Sequence, residues 1–210
     1  MTNARGNSIR IAIVGESNVG KTSILQRFCK GLYGQRIQTT VGIDKSEFSF
    51  SVGEDIVSTI LLDMAGGNEF VPLVACFLRQ VDAVVLVYDI SDKESFITLP
   101  TWNSLIKSTN ASDKLAKILV GNKKDLAKYQ REVPFKAAKN FANFEGMVAL
   151  EVSAKNDDNI DLLFHCIANE VKTLRSTVND DRRKKAKEKS WSPLVRNLKS
   201  IFSRASNFKF

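Results

Sequence analysis

The 210-residue chain is sparing with the features that would place it in several common classes. It has three cysteines, Cys29, Cys76 and Cys166, and no spacing among them pairs into a disulfide framework or a metal site. Each sits inside an apolar or helical pattern, so all three read as small buried hydrophobes in a reducing compartment. No apolar run approaches the ~18 residues of a membrane span. Residues 1–7 are small and polar and lack the apolar centre of a secretory signal, so they read as a short disordered lead. Thr2 stands where N-myristoylation requires glycine, which removes that anchor too. There are no internal repeats. The length suits one sizeable globular core with an appendage.

A net charge of +8 suggests a binder of polyanions until the charge is located. From Arg182 onward ten Lys and Arg face one acid, Glu188, whereas the residues before them hold 21 bases and 22 acids. The body is neutral and the tail is basic, so any polyanion argument belongs to the tail. Arg182-Arg183-Lys184-Lys185 has no interleaved aromatics and no base-reading module beside it, so no nucleic-acid partner is expected.

The residues that are present organise around Gly15-Glu16-Ser17-Asn18-Val19-Gly20-Lys21-Thr22. Upstream, Ile9 to Val14 reads as a buried strand. Downstream, Ile24, Leu25 and Phe28 recur at helical spacing. Strand, Gly-x-x-x-x-Gly-Lys-Thr, helix is the context of a phosphate-binding loop. Gly15 and Gly20 can turn successive N–H groups inward at an anion, and the helix beginning near Gly20 adds its free N–H groups and dipole. Lys21 can reach the β- and γ-phosphates, and the Thr22 hydroxyl can ligate magnesium.

Further on, residues 31–38 form a polar loop ending at Thr39-Thr40-Val41-Gly42. Asp44 to Val52 alternates, with Phe48, Phe50 and Val52 on one face, and Gly53-Glu54-Asp55 turns it back into Ile56 to Leu62 as a hairpin. A loop follows from Asp63, with Gly66 and Gly67 adjacent. Helices are predicted over Phe70 to Arg79, Lys93 to Thr109, Pro134 to Phe144 and Ile160 to Leu174. Strands are predicted over Ala83 to Asp89, Lys117 to Gly121 and Met147 to Val152. The fold class is therefore α/β, a six-stranded, mostly parallel sheet with helices on both faces and one antiparallel edge strand. The candidate residues fall beyond the carboxyl ends of strands or in the loop after a helix, where such sheets bind ligands. The domain spans residues 8–175, a charged linker 176–192, and a helical tail 193–210.

On these residues the chain resembles the Ras superfamily of small GTPases, closest to its Rab branch, over roughly residues 8 to 175. Five loops occur in the family's order: Gly15 to Thr22; Thr40-Val41-Gly42-Ile43-Asp44; Asp63-Met64-Ala65-Gly66; Asn122-Lys123-Lys124-Asp125; and Ser153-Ala154-Lys155. Leu86-Val87-Tyr88-Asp89-Ile90 and Glu94-Ser95-Phe96 are similar to Rab phrases as well. The resemblance implies GTP or GDP as ligand with Mg2+, cradled by Gly15, Ser17, Asn18, Val19, Gly20, Lys21, Thr22 and Ser23. Asp125 would accept from guanine N1–H and the 2-amino group, a donor pair adenine lacks, which disfavours a generic ATPase. Asn122 would tie this loop to the phosphate loop. The stem of Lys123 and the ring of Tyr33 would cover the two faces of the base. Ala154, between Ser153 and Lys155, would offer its N–H to guanine O6. Thr22, Thr40 and Asp63 would hold the metal, Asp63 through water, Thr40 would sense the γ-phosphate through that ion, and Gly66 would also line the nucleotide. Effectors, exchange factors and GTPase-activating proteins would meet residues 37–45 and 63–79 of a monomer acting in membrane traffic (vesicle transport) or signalling.

The chain also departs from the pattern. Gly67 stands at the position of the glutamine that orients the attacking water, and Asn68 is one place late and one methylene short. Lys45 and Leu62 replace two aromatics of an effector patch. Two readings follow: a switch that hydrolyses GTP slowly unless assisted in trans, or a pseudo-GTPase adaptor held with its nucleotide.

The tail lacks the C-terminal cysteines that carry prenyl groups in the family. Instead, after Trp191 and Ser192-Pro193, the residues Leu194, Val195, Leu198, Ile201, Phe202 and Ala205 gather on one face of a helix, with Arg196, Lys199 and Arg204 on the other. The 191–205 helix can lie on an anionic membrane on its cytosolic face, dock in a protein groove, or fold back or stay disordered.

Overall fold

The computed structural model describes residues 8–34, 39–110 and 115–177; the lead, residues 35–38 and 111–114, and the predicted linker and helical tail over 178–210 lie outside them. A sheet of six strands carries the fold: β1 (Ile9–Val14), β2 (Ile43–Val52), β3 (Asp55–Met64), β4 (Ala83–Asp89), β5 (Ala116–Asn122) and β6 (Val148–Glu151). Their order is β2-β3-β1-β4-β5-β6, and every neighbouring pair is parallel except β2 and β3. That hairpin runs in register from Ile43↔Met64 to Val52↔Asp55, around Gly53 at φ 64°. The helices are α1 (Lys21–Lys30), α2 (Val71–Leu78), α3 (Lys93–Ile97), α4 (Leu99–Thr109), α5 (Phe135–Phe144) and α6, residues 160–177.

Strand β4 is buried at all seven positions, as a strand with neighbours on both edges and helices on its faces must be. On one side Ala12, Val14, Leu62 and Met64 pack with Val74 and Leu78 of α2, Leu99, Trp102 and Ile106 of α4, and Ala138 and Ala142 of α5. A second group is aromatic. Phe28 of α1 stacks on Phe164 of α6 at 3.6 Å between centroids, and Phe48 and Phe50 meet Phe28 edge-on at 5.0 and 5.1 Å. Phe164 is fully buried, which contributes roughly 1.5–3 kcal/mol, and the partly buried Phe28, Phe48 and Phe50 contribute less.

Several boundaries differ from the sequence reading, for local reasons. The helix expected from Lys93 to Thr109 is two helices joined at Thr98. Pro100 has no N–H and its ring crowds the carbonyl four residues back, so the chain restarts with the proline in its first turn. Asp92 caps the first segment, accepting from the N–H of Glu94 at 3.0 Å. Strand β3 continues through Asp63 and Met64, which pair with Asp44 and Ile43, so Asp63 is held by a ladder rather than a loop. Helicity continues to residue 177, two residues into the stretch read as linker. The cysteines are all free, but none is fully buried, and Cys76 on α2 is exposed, because apolar neighbours in sequence do not fix which way a helical side chain faces.

Candidate nucleotide site

Strand β1 ends at Val14 and α1 begins at Lys21, so the loop between them is delivered at the carboxyl edge of the sheet. Gly15 and Gly20 have φ of 139° and 91°. A Cβ on Gly15 would run into the Val87 carbonyl oxygen, and one on Gly20 into the side-chain amide of Asn122. Both glycines are therefore demanded by close approach as well as by backbone angle. Asn18 takes φ 63°, a region that asparagine tolerates better than most residues. Lys21 is buried and folds back over the loop, its Nζ donating to the carbonyls of Gly15 at 2.9 Å and Glu16 at 2.6 Å. Burial pulls its pKa down to about 8, against the raising pull of the Asp63 and Glu16 carboxylates.

The three residues expected to hold a metal converge. Thr22 Oγ1 donates to Asp63 Oδ2 at 2.5 Å and lies 3.0 Å from Thr40 Oγ1, which itself reaches Asp63 Oδ2 at 3.4 Å. Asp63 Oδ1 is buried with no hydrogen-bond partner among the described residues. Burial raises the Asp63 carboxyl above its ordinary value, and the Thr22 hydrogen bond and the Lys21 charge oppose that. An orphaned carboxylate oxygen beside two hydroxyls is an all-oxygen donor set, which fits a hard divalent cation. A cavity of about 200 Å³ opens here, lined by Ser17, Asn18, Gly20, Lys21, Thr22, Ser23, Thr39, Thr40, Met64 and Gly66.

Asn122 joins this cavity to a second rim. Its Nδ2 donates to the Val19 carbonyl at 2.9 Å, and its Oδ1 accepts from the Ala154 N–H at 3.3 Å. The N–H that sequence reasoning reserved for guanine O6 is thus engaged, and a base would share it. Asp125 is held by Ser153 Oγ at 2.6 Å, with Lys155 Nζ 4.0 Å from its other oxygen. Lys123 takes φ 64°, and its ammonium pairs with buried Asp89 at 2.6 Å, which fixes the course of its stem. Tyr33 is half exposed, with the Arg27 guanidinium 5.8 Å from its ring centroid. The lining of the 200 Å³ cavity stops short of Tyr33, Lys123, Asp125 and residues 153–155, so the structure gathers the predicted residues as two adjoining groups.

The Ras family model matches residues 10–173 of this chain. The chain belongs to the Ras family. Among its relatives are Ras-related protein Rab-30 of Homo sapiens, 37% identical over 155 residues, covering 74% of this chain and 75% of that protein. Ras-related protein Rab-33A of Mus musculus is 34% identical over 176 residues, covering 82% and 74%. GTP-binding protein ypt2 of Schizosaccharomyces pombe is 34% identical over 164 residues, covering 78% and 81%. The likeness to Rabs and the sheet order make the chain a Rab-like, GTP-binding small GTPase.

Within this small GTPase the second switch is the bare part of the site. Gly66 lies so close to the phosphate loop that a Cβ would run into the Glu16–Ser17 peptide. Gly67 offers only backbone, its carbonyl accepting from the Phe70 N–H at 3.0 Å to open a 3-10 turn over Asn68–Phe70. A Cβ on Gly67 would stand 2.5 Å from the Glu69 carboxylate. In the hairpin, Lys45 pairs in register with Leu62. Lys45 forms an exposed ion pair with Glu47 at 2.8 Å, while Leu62 is buried in the core. Two residues of the site went unseen in sequence. Trp102 Nε1 donates to Glu16 Oε1 at 2.9 Å, and Arg27 reaches the carbonyls of residues 154 and 155. Separations of 86 and 127 residues leave no local pattern to find.

Proposed function

We propose that this small GTPase is a switch that binds GTP and GDP with magnesium, hydrolyses GTP slowly on its own, and acts in membrane traffic on the cytosolic face of a membrane. The observation that carries the reading is the coexistence of a convergent Lys21, Thr22, Thr40 and Asp63 group with a second switch whose Gly67 has no side chain. Lys21 would meet the β- and γ-phosphates from inside the loop, and the N–H groups at the start of α1 would face the same anion. Thr22 and Thr40 would ligate magnesium directly and Asp63 through water; when bound, the ion neutralises charge on the phosphates. Asp125 would select guanine. Positioning of the attacking water falls to a group supplied in trans, since Gly67 cannot reach it. Residues 37–45 and 63–79 would supply the surface for such partners, with 37 and 38 lying outside the described residues. The tail would hold the protein at the membrane through its basic amphipathic helix.

Single-turnover hydrolysis with and without a Rab-type GTPase-activating protein tests this. Slow unaided turnover that the activator accelerates is expected. Fast unaided hydrolysis that Gly67→Gln does not improve overturns it. The pseudo-GTPase reading is favoured by the same Gly67, and the nucleotide retained on purification separates the two. GDP marks a working cycle, whereas GTP that persists with an activator present marks an adaptor. Leu198→Glu should release the protein from membranes if the tail is its anchor.

A further inference from the structure

We infer that Arg27 is a positioning residue for guanine recognition, a role that rests on the reading of residues 153–155 as the loop facing the base. Arg27 lies near the end of α1, and its planar guanidinium donates along three directions at once. Nε meets the Ala154 carbonyl at 2.8 Å, Nη2 the Lys155 carbonyl at 3.1 Å, and Nη1 the Gly31 carbonyl at 2.7 Å. Gly31 itself caps the helix at φ 65°, its N–H bonded to the Arg27 carbonyl at 2.9 Å. The side chain therefore grips the end of its own helix and the loop after β6 together. Its cation also sits 5.8 Å from the ring centroid of Tyr33, within the range of attraction to an aromatic face.

The two carbonyls bound in the 153–155 loop are those of consecutive residues, so the peptide units on both sides of Lys155 are fixed in orientation. Ala154, whose N–H is the donor proposed for guanine O6, is buried and held from its carbonyl side by Arg27 and from its N–H side by Asn122. Nothing in Arg27 touches the base. It sets the angle at which the loop presents its N–H, and it places the cover residue Tyr33 beside the same loop. Lysine at this position keeps the charge and the stem but has no fork, so one ammonium cannot hold three carbonyls in a plane.

The test compares dissociation of GDP and of 6-thioguanosine diphosphate, which differs only at the atom on position six, from the full-length wild type and from Arg27→Lys. The wild type should release the thio analogue faster than GDP. Arg27→Lys should release GDP about tenfold faster than wild type, the thio analogue only about twofold faster, and so compress the ratio between them. A role confined to stability would accelerate both by one factor, and that result, or no change in either, overturns the inference. Should Arg27→Lys fail to fold by circular dichroism, Arg27→Gln, which keeps a single donor nitrogen, is read by the same ratio. A wild type that binds GDP but does not distinguish the two ligands removes the base-facing reading of the loop, and the inference with it. A wild type that retains no guanine nucleotide removes the proposed function itself.

Discussion

The loop after β5 and the loop after β3 flank the same phosphate-binding loop and are built on opposite terms. After β5, Asn122 bonds at both ends of its amide, Lys123 pairs with buried Asp89, and Asp125 is held by Ser153. Arg27 then clamps the neighbouring 153–155 loop from α1. After β3, the hydrogen bonds of Ala65 and Gly67 run through backbone, to Gly42 and from Phe70. One rim has its side chains already paired and therefore needs little reorganisation to receive a ligand. The other presents glycine where a catalytic side chain would stand. On the proposed reading, the difference makes retention of nucleotide and its turnover separable properties, retention resting on the paired rim and turnover on a partner.

The comparison breaks most severely at Lys21. Lys21→Ala should weaken GDP binding by about 100-fold or more, the worth of a charge-assisted bond, measured by fluorescence titration. Next is pH. With the Lys21 pKa at about 8 in the nucleotide-free protein, affinity should be level below pH 8 and fall by up to about tenfold per unit above it, as the ammonium is lost. The sign for stability is the reverse. Between pH 8 and the ordinary lysine value of 10.5 the unfolded chain keeps a proton the fold has shed, so the nucleotide-free protein gains stability as pH rises through that window.

On the bare rim, Gly67→Gln should raise single-turnover hydrolysis by about tenfold, or about 1.4 kcal/mol of barrier. The double variant Gly67→Gln with Glu69→Ala should exceed it, because the Glu69 carboxylate occupies the space the new side chain enters. Equal rates for the two variants would show that Glu69 yields freely. The smallest effect is expected from Trp102→Phe, which keeps the ring but removes the bond to Glu16. GDP dissociation should rise by about threefold, with hydrolysis unchanged.

The sheet was legible in sequence because its central strands β1, β4 and β5 are mostly apolar on both faces and the β2–β3 turn carries glycine. The antiparallel β2 was visible from the short turn at Gly53, and its half-buried face of Phe48, Phe50 and Val52 matches the alternation. The local motifs were legible for a related reason: Gly15 to Thr22 and Asn122 to Asp125 each carry their chemistry within a few residues. What escaped depended on distance or direction. The pairings of Arg27 and Trp102 join segments that only the folded sheet brings together. The exposure of Cys76 depends on which face of α2 meets the core. The interruption at Thr98 had a local cause in Pro100, but the hydrophobic rhythm ran through it and concealed the break.

Asn122 has one further consequence. A single amide bridges Val19, in the loop proposed to cradle the phosphates, and Ala154, in the loop proposed to face the base, and Gly20 leaves it just enough room to do so. The two ends of a nucleotide would then behave as a tethered pair of ligands. Seating the sugar–base end raises the local concentration of the phosphates at their own site, and the reverse holds equally. Fragments carrying only one end should gain nothing from this linkage, so the whole molecule should bind far more tightly than its halves suggest. A purine nucleoside and free pyrophosphate added together would remain weak competitors of GDP.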